Sequence, residues 1–333
     1  MQRNMKNNLL ITSLIAAVCL ALQPVDGQAQ NGRNPFVPYS EVGLGLGTAS
    51  YYGEIAGYRK PLKSTFIMMR WNAAAMYTRH FTPKLAARAS FTWARIAGDD
   101  YTYNRKDLNS GIVQYARNLH FRNDLKEFAL TGIYQFVPDG RNPNYRAKLT
   151  PYIFVGLAAV AHSPEARTPV GFGTTPDDTE QRWVKLQPLG TEGQGQNGVK
   201  PYSLMTLAIP VGFGVRYRLN DRFGLSGEIN YRFTSTDYLD DVGGAYPDPT
   251  ILKDDLARVM ADRRLEPTAA RKGGDRVAEL QKYLNTSDPL SVLASDPNYG
   301  TRGANGVFND GYMTISFQVH YVLTPRIKCP PIK

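Results

Sequence analysis

Eight stretches between Ser40 and Leu323 carry an apolar or aromatic residue at every second position, with small or polar residues between them. A period of two is that of an extended strand with one oily face, so a chain built of such stretches has to cover eight oily faces at once. The clearest stretch is Phe223 to Ser235, where Phe223, Leu225, Ile229, Tyr231 and Phe233 share one side and Gly224, Ser226, Glu228, Asn230, Arg232 and Thr234 the other. In the stretch before it, Met205, Leu207, Ile209, Val211, Phe213, Val215 and Tyr217 oppose Thr206, Ala208, Gly212, Gly214, Arg216 and Arg218. The same alternation marks Val42, Leu44 and Leu46; Trp71 to Tyr77; Leu85 to Trp93; Phe128 to Phe136; and Met313 to Leu323, whereas Tyr152 to Ala161 is apolar on both sides.

The links between these stretches are lopsided. Thr82-Pro83-Lys84 and Asn220-Asp221-Arg222 are tight, and Val137 to Lys148 on the same side is of moderate length. The alternate links, near Gly53 to Met69, Ala97 to Asp124, Ser163 to Lys200 and Asp237 to Asp310, are all long. An even strand number with short turns at one end and long loops at the other is the pattern of barrels in bacterial outer membranes. Lipid offers no partners to backbone N–H and C=O groups, so strands cross it only when closure removes every edge. The sequence therefore predicts an all-β fold: an eight-stranded antiparallel up-and-down transmembrane β-barrel over 40–323 with long extracellular loops. With eight strands the interior is filled by side chains and leaves no open pore.

Arg88, Glu127, Arg216, Glu228 and Arg232 fall on the faces that alternate with the oily ones, and charge on the lipid face is expensive, so these five are expected inside the barrel. Counting across the Asn220 turn sets Glu228 diagonal to Arg216, which predicts an ion pair between them. Pro210 lacks the N–H that a ladder needs, which predicts a bulge over Ile209 to Gly212. Tyr51, Tyr52, Trp71, Tyr77, Trp93, Tyr217 and Tyr231 near strand ends suit the girdles at the two headgroup levels. Ile251 to Arg264 and Asp275 to Leu284 have helical spacing, so the long 237–310 loop is expected to hold short helices capping the mouth.

At the amino terminus Arg3 and Lys6 precede an uncharged run from Leu9 to Leu22, and Gly27 and Ala29 stand at the places a signal peptidase reads. This predicts a signal peptide over 1–29 cleaved near Ala29, a periplasmic segment over 30–39, a periplasmic tail over 324–333, and residence in the outer membrane of a Gram-negative cell. A lipoprotein site at Cys19 would want a small residue where Val18 stands. Cleavage leaves Cys329 as the one thiol and permits no internal disulfide. The net charge of +10 suits lipid phosphates or acidic proteins, with nucleic acid excluded as a partner by export. A mean hydropathy of -0.36 excludes a polytopic helical membrane protein.

Candidate chemistry is sparse. Asp237, Asp240 and Asp241 could offer oxygens to calcium, but carboxylates at a strand end also cap turns, and the second reading is preferred. The glycine run from Gly190 to Gly198 lacks the Lys-Ser/Thr ending of a phosphate loop; it reads as tight turns folding the third loop over the rim on Trp183 and Leu186. His162-Ser163 sits where a lipid-modifying barrel would carry a hydrolase pair, yet neighbours in a strand point apart. His80, His120 and His320 show no ligand spacing. No catalytic, cofactor or metal residue is assigned.

Several loop segments are more specific than barrel filler: Arg117-Asn118-Leu119-His120-Phe121, Leu189-Gly190-Thr191-Glu192-Gly193-Gln194-Gly195, and Asp237-Tyr238-Leu239-Asp240-Asp241-Val242. With Glu41-Val42-Gly43, Ile209-Pro210-Val211-Gly212 and Arg302-Gly303, they resemble the PorG-like outer-membrane barrels of Bacteroidota over about Tyr39 to Pro330. That resemblance implies a role in the type IX secretion system, with the barrel over a periplasmic ring made by a lipoprotein and its partner. Arg141, Arg146, Lys148 and Arg222, with Lys84, Arg326 and Lys328, fall on the short-turn side and are the candidate docking groups for an acidic ring protein. The alternatives are a surface-binding, adhesin-like barrel and a lipid-modifying hydrolase.

Overall fold

The computed structural model describes residues 36–55, 61–172, 180–196, 198–303 and 309–323. The expected signal peptide with Ala29, most of the 30–39 segment, and the 324–333 tail with Arg326, Lys328 and Cys329 lie outside them. The strands are β1 (Tyr39–Tyr52), β2 (Arg70–His80), β3 (Leu85–Asp99), β4 (His120–Gln135), β5 (Leu149–Ala161), β6 (Pro164–Arg167), β7 (Trp183–Lys185), β8 (Met205–Arg218), β9 (Phe223–Thr234) and β10 (Gly311–Leu323). The helices are α1 (Pro61–Ile67), α2 (Asp100–Asn104), α3 (Leu108–Arg117), α4 (Asp255–Ala261), α5 (Val277–Leu284) and α6 (Pro289–Ser295).

Eight strands form one closed antiparallel barrel. Each pairs with its neighbour in the chain, with β5 meeting β8 across the third loop and β10 returning to β1 to seal the cylinder. The seal runs from Ser40 opposite Leu323 to Tyr52 opposite Gly311. The two tight turns owe their shape to side chains that capture backbone: Thr82 Oγ1 accepts from the amides of Lys84 and Leu85, and Asn220 Oδ1 from those of Arg222 and Phe223. The short hairpin β6–β7 adds to the upper part of β4, with Arg122 opposite Glu165.

Alternation sorts the side chains. Leu44, Phe317 and Val155 point outward and are 70%, 75% and 56% exposed, whereas Arg88, Glu127, Glu228 and Arg232 point inward and are buried. This is the reverse of a water-soluble barrel. The eight barrel strands, of 11 to 16 residues, meet or exceed the 9–11 that a tilted strand needs to cross hydrocarbon. The apolar belt ends at Trp93 on β3, whose ring meets Trp71 edge-on at 5.1 Å. Above it the outward positions become ionic: Arg95 forms a two-pronged bond to Asp124, and Arg122 pairs with Glu165. Within the described residues no helix is long and apolar enough to cross a membrane, and the crossing elements are the strands.

Three expectations are corrected. The register of β8 is unbroken through Pro210, which stands opposite Arg232 on β9, and no bulge forms. Pairing with β5 merely lapses between Val155–Val211 and Ala158–Ala208 and resumes in the same register, so the missing donor is absorbed without an extra residue. Glu228 does not pair with Arg216, because partners across the lumen lie closer than the diagonal neighbour: Arg88 takes Glu228 and Asp139 takes Arg216. Tyr51 leaves the girdle altogether and points into the barrel, fully buried; Tyr52 faces outward but is covered by α1.

The loops hold more helix than the sequence announces. The stretches over Ile251–Arg264 and Asp275–Leu284 contain α4 and α5, while α1, α2, α3 and α6 went unrecognised because five to ten residues give too few turns to show a period. Two small cores hold this cap. Leu186 and Leu189 pack with Leu252, Met260 and Ala261, and Tyr101 and Tyr115 pack with Ala269, Leu280 and Leu293.

Candidate functional site

The lumen is filled in three tiers. At the short-turn end Asp139 reaches up from the β4–β5 link. Its carboxylate takes two bonds from Arg216 Nη2 at 2.6 and 2.8 Å and one from the Tyr39 hydroxyl at 2.7 Å. Midway, Arg88 Nη1 meets Glu228 Oε1 at 2.6 Å, and Tyr152 and Gln318 donate to the same carboxylate. Higher, Arg232 donates to both oxygens of Glu127, with the Tyr312 hydroxyl on the same carboxylate. Every one of these charges is paired and hydrogen-bonded, the condition on which burial of charge is tolerable. Above them Ile96, Phe121, Leu125 and Val160 from the wall meet Leu239 and Val242 of the long loop in an apolar stopper.

One cluster in the lumen was not foreseen. His80 Nε2 and His320 Nδ1 flank Glu41 Oε1 at 3.4 and 3.6 Å. These histidines lie 240 positions apart in the chain and share no sequence spacing; only the strand register brings them together, with Tyr39 opposite His80 and Gly43 opposite His320 on the two sides of β1.

The motif segments from different loops converge at the opposite, mouth end. Arg117 is buried, holds Asp100 through Nε and Nη2 at 2.8 Å each, and donates to the carbonyl oxygens of Glu54 and Arg302. Asn118 ends α3 in the left-handed conformation (φ 60°), and its amide donates to the carbonyls of Arg263 and Thr268 while accepting from Ala270 N–H. Arg302, also buried, joins the third and fourth loops. It donates to Glu192, to Thr191 Oγ1 at 3.1 Å, and to both the backbone carbonyl and the carboxylate of Asp241. Glu192 in turn accepts from the amides of Gly243 and Gly244. Gly190, Gly193 and Gly195 supply positive φ for the turns that bring Thr191 and Glu192 there, and Gln194 Oε1 accepts from Glu192 N–H. Gly303 donates to the Gly244 carbonyl, and any Cβ on it would strike the Gly243–Gly244 backbone at 2.9–3.0 Å.

The three aspartates Asp237, Asp240 and Asp241, weighed against a cation site in favour of turn capping, do not face one point. Asp241 accepts from Tyr202 at 2.7 Å and from Arg302 and Thr191, and burial pushes its carboxyl up to about 6 against the pull of Arg302. Asp240 and Asp310 both lie 2.6 Å from the Tyr51 hydroxyl, which has one proton to give. Burial pushes both carboxyls well above the usual range, with the charge of Asp310 adding to it at Asp240 and that of Glu54 at Asp310. Asp237 instead comes within 4.8 Å of Glu54 and Asp310. Burial, with the charge of Glu192, raises Asp237 to about 6; burial, with the charge of Asp237, raises Glu54 to about 7. Tyr238 stacks on Tyr202 at 4.6 Å, and the His162 ring lies parallel to Tyr202 at 6.3 Å.

His162 is thus an aromatic spacer that burial keeps neutral, with its pKa lowered to about 4, while the backbone of Ser163 is held by Asn123. His120 opens β4, accepts from Arg167 N–H and meets Trp183 edge-on, which draws the β6–β7 hairpin onto the barrel. Leu186 is an apolar anchor of the third loop, whereas Trp183 is a platform under the Arg122 and Arg167 guanidiniums.

Of the candidate docking groups, Arg141, Lys148 and Arg222 are exposed on the short-turn rim, together with Lys84. Arg146 is not: it is 2% exposed and donates to the carbonyls of Pro143, Asn220 and Asp221, tying two links together. Turn carbonyls without strand partners need a donor, and an arginine one link away supplies it.

A closed, charge-filled cylinder with an apolar exterior and a knotted cap defines a membrane-spanning β-barrel with an occluded lumen. Residues 35–179 match a family described as a domain of unknown function, DUF6089. No curated protein matches the chain. Among solved structures the chain is similar to Neisserial surface protein A, at 11% identity and a TM-score of 0.34 over 85% of this chain and 96% of that one. It is also similar to Ail, the attachment invasion locus protein of Yersinia pestis, at 8% identity and a TM-score of 0.32 over 86% and 99%. CarO2 of Acinetobacter baumannii follows at 12% identity and a TM-score of 0.23 over 84% and 98%.

Proposed function

We propose that this protein is a non-enzymatic barrel of the Gram-negative outer membrane that acts by docking, and that its PorG-like role is to anchor a periplasmic ring complex of the type IX secretion machinery. The observation that carries the reading is occlusion at both ends. Asp139 and Arg216 close the short-turn end, and Leu239 and Val242 stopper the mouth, so the surfaces rather than the lumen are left to do the work. Of those surfaces, the short-turn rim offers exposed Lys84, Arg141, Lys148 and Arg222, a basic face suited to an acidic ring lipoprotein or its partner. The motif residues serve this role indirectly by holding the cap closed.

The second reading is a surface-binding, adhesin-like barrel. It is favoured by the size of the loop assembly, which carries its own small cores and presents a preformed outer surface. Charge reversal at Arg141, Lys148 and Arg222 separates the two. Loss of secretion of many cargo proteins, with the barrel still present in the outer membrane, supports the docking role. Intact secretion with altered attachment to surfaces supports the second reading and sinks the first.

A further inference from the structure

The helix α1 lies outside the barrel wall. Its buried residues Ser64 and Thr65 face β1 and the second loop: Ser50 Oγ donates to the Thr65 carbonyl at 2.7 Å, the Tyr52 hydroxyl meets Thr65 Oγ1 at 2.5 Å, and Ser64 Oγ meets the Tyr103 hydroxyl at 2.6 Å. Ser50 stands opposite Met313 on the outward row of the sheet, so the helix rests against the face that elsewhere meets lipid. Ser64 and Thr65 are used up in that contact, and the Lys63 ammonium lies over the Tyr103 ring, 4.6 Å from its centroid. What it turns away from the wall is apolar, with Leu62 75% and Phe66 60% exposed, followed by exposed Ile67 and Met69.

Three observations say what covers this face. It is continuous with the apolar belt, because Trp71 follows within two residues of Met69 and meets Trp93 at the upper edge of that belt. Residues 61–70 contain Lys63 and Arg70 and no acid, a charge balance that complements phosphate headgroups. Beside the helix a crevice of about 780 Å³ opens, lined by Tyr52, Pro61, Tyr231, Phe233 and Met313 and, toward the mouth, by the polar Thr234, Asn309 and Asp310. An apolar helix face with basic flanks is the pattern of a segment that lies in the plane of a membrane interface.

We propose that α1 is a collar bedded in the outer leaflet, with lipid acyl chains as the occupant of the Leu62–Phe66–Ile67 face and lipid phosphates beside Lys63 and Arg70. The first loop is then a membrane contact rather than a free extracellular surface. The proposal rests on the membrane reading above and adds to it a depth for one loop.

The test is spin-label accessibility in the full-length mature chain carrying Cys329→Ser. Single cysteines replace Phe66, Leu62, Phe91 on the belt or Lys185 on the β6–β7 hairpin, and the protein is reconstituted in phosphatidylcholine and phosphatidylglycerol vesicles. A heat-dependent mobility shift on gels verifies that each variant is folded. At Phe66 and Leu62 oxygen is expected to relax the label more than a water-soluble nickel chelate does, as at Phe91, with a depth of about 5–10 Å. The opposite order is expected at Lys185. Nickel dominating at Phe66 and Leu62 while Phe91 stays dry overturns the collar alone. Nickel dominating at Phe91 as well overturns the membrane reading together with it.

Discussion

Arg117 donates through Nη1 to the backbone carbonyl of Arg302 at 2.6 Å, so one buried guanidinium of the second loop holds the peptide that carries the other. Arg302 then fastens Glu192 of the third loop and Asp241 of the fourth. Replacing Arg302 by Ala would leave two buried carboxylates facing each other without a cation, a change of about 3–5 kcal/mol for a broken buried pair. The cap should open while the strands stay closed. Limited proteolysis is expected to cut within 237–310 in Arg302→Ala and to spare the wild-type protein, with the heat-dependent gel shift retained in both.

The lumen pairs predict a non-additive cycle. Glu127→Met alone leaves the buried Arg232 guanidinium without its carboxylate and is expected to destabilise the barrel by about 3–5 kcal/mol. The double variant Glu127→Met, Arg232→Met removes both charges and should recover most of that loss. Urea unfolding of the four proteins in micelles measures the coupling. Simple addition of the two single effects would show that the pair is not an energetic unit.

Occlusion predicts electrical silence. Purified protein in planar bilayers should give no sustained conductance, because the Arg88–Glu228 and Arg232–Glu127 tiers leave a cavity of only about 30 Å³ between them. Steady ion current from the wild-type chain would contradict the stopper.

The acids at the mouth predict a pH dependence of the cap. Glu54 and Asp237 are raised by burial and neighbouring charge to about 7 and about 6, and Asp240 and Asp310 lie well above their usual range. A carboxyl raised in the folded state binds its proton more tightly there than when unfolded. Its stabilising contribution is therefore complete below the unfolded pKa near 4 and is lost as pH rises through about 6 to 7. Hydrogen exchange at Leu239, whose amide donates to Asp310, should be better protected at pH 5.5 than at pH 8 once intrinsic rates are removed. Tyr51→Phe is expected to lower protection at both values.

The strands and their two faces were legible because a period of two shows in a handful of residues and closure leaves few arrangements for eight of them. The same rule misled where a side chain answers to something other than its face. Tyr51 alternates inward and finds carboxylates there, although its ring at a strand end suits a girdle. Arg146 sits in a link, where alternation says nothing, and its burial follows from unpaired carbonyls visible only once two turns are adjacent. Pro210 removed a donor without adding a residue, which composition alone does not separate from a bulge. The motif segments of the loops stood out in the sequence, but that Arg117, Arg302, Glu192 and Asp241 are linked in one chain of contacts is a property of the closed cylinder that brings their loops to one end.

The seam between β1 and β10 has a consequence for biogenesis. The first strand and the last are each other's neighbours along their whole length, from Ser40 beside Leu323 to Tyr52 beside Gly311. The edge of β1 that faces β10 cannot be paired until the last strand has been delivered. Every other strand can find its neighbour earlier, so closure of the cylinder cannot precede arrival of the β9–β10 hairpin, and until then β1 presents an open edge.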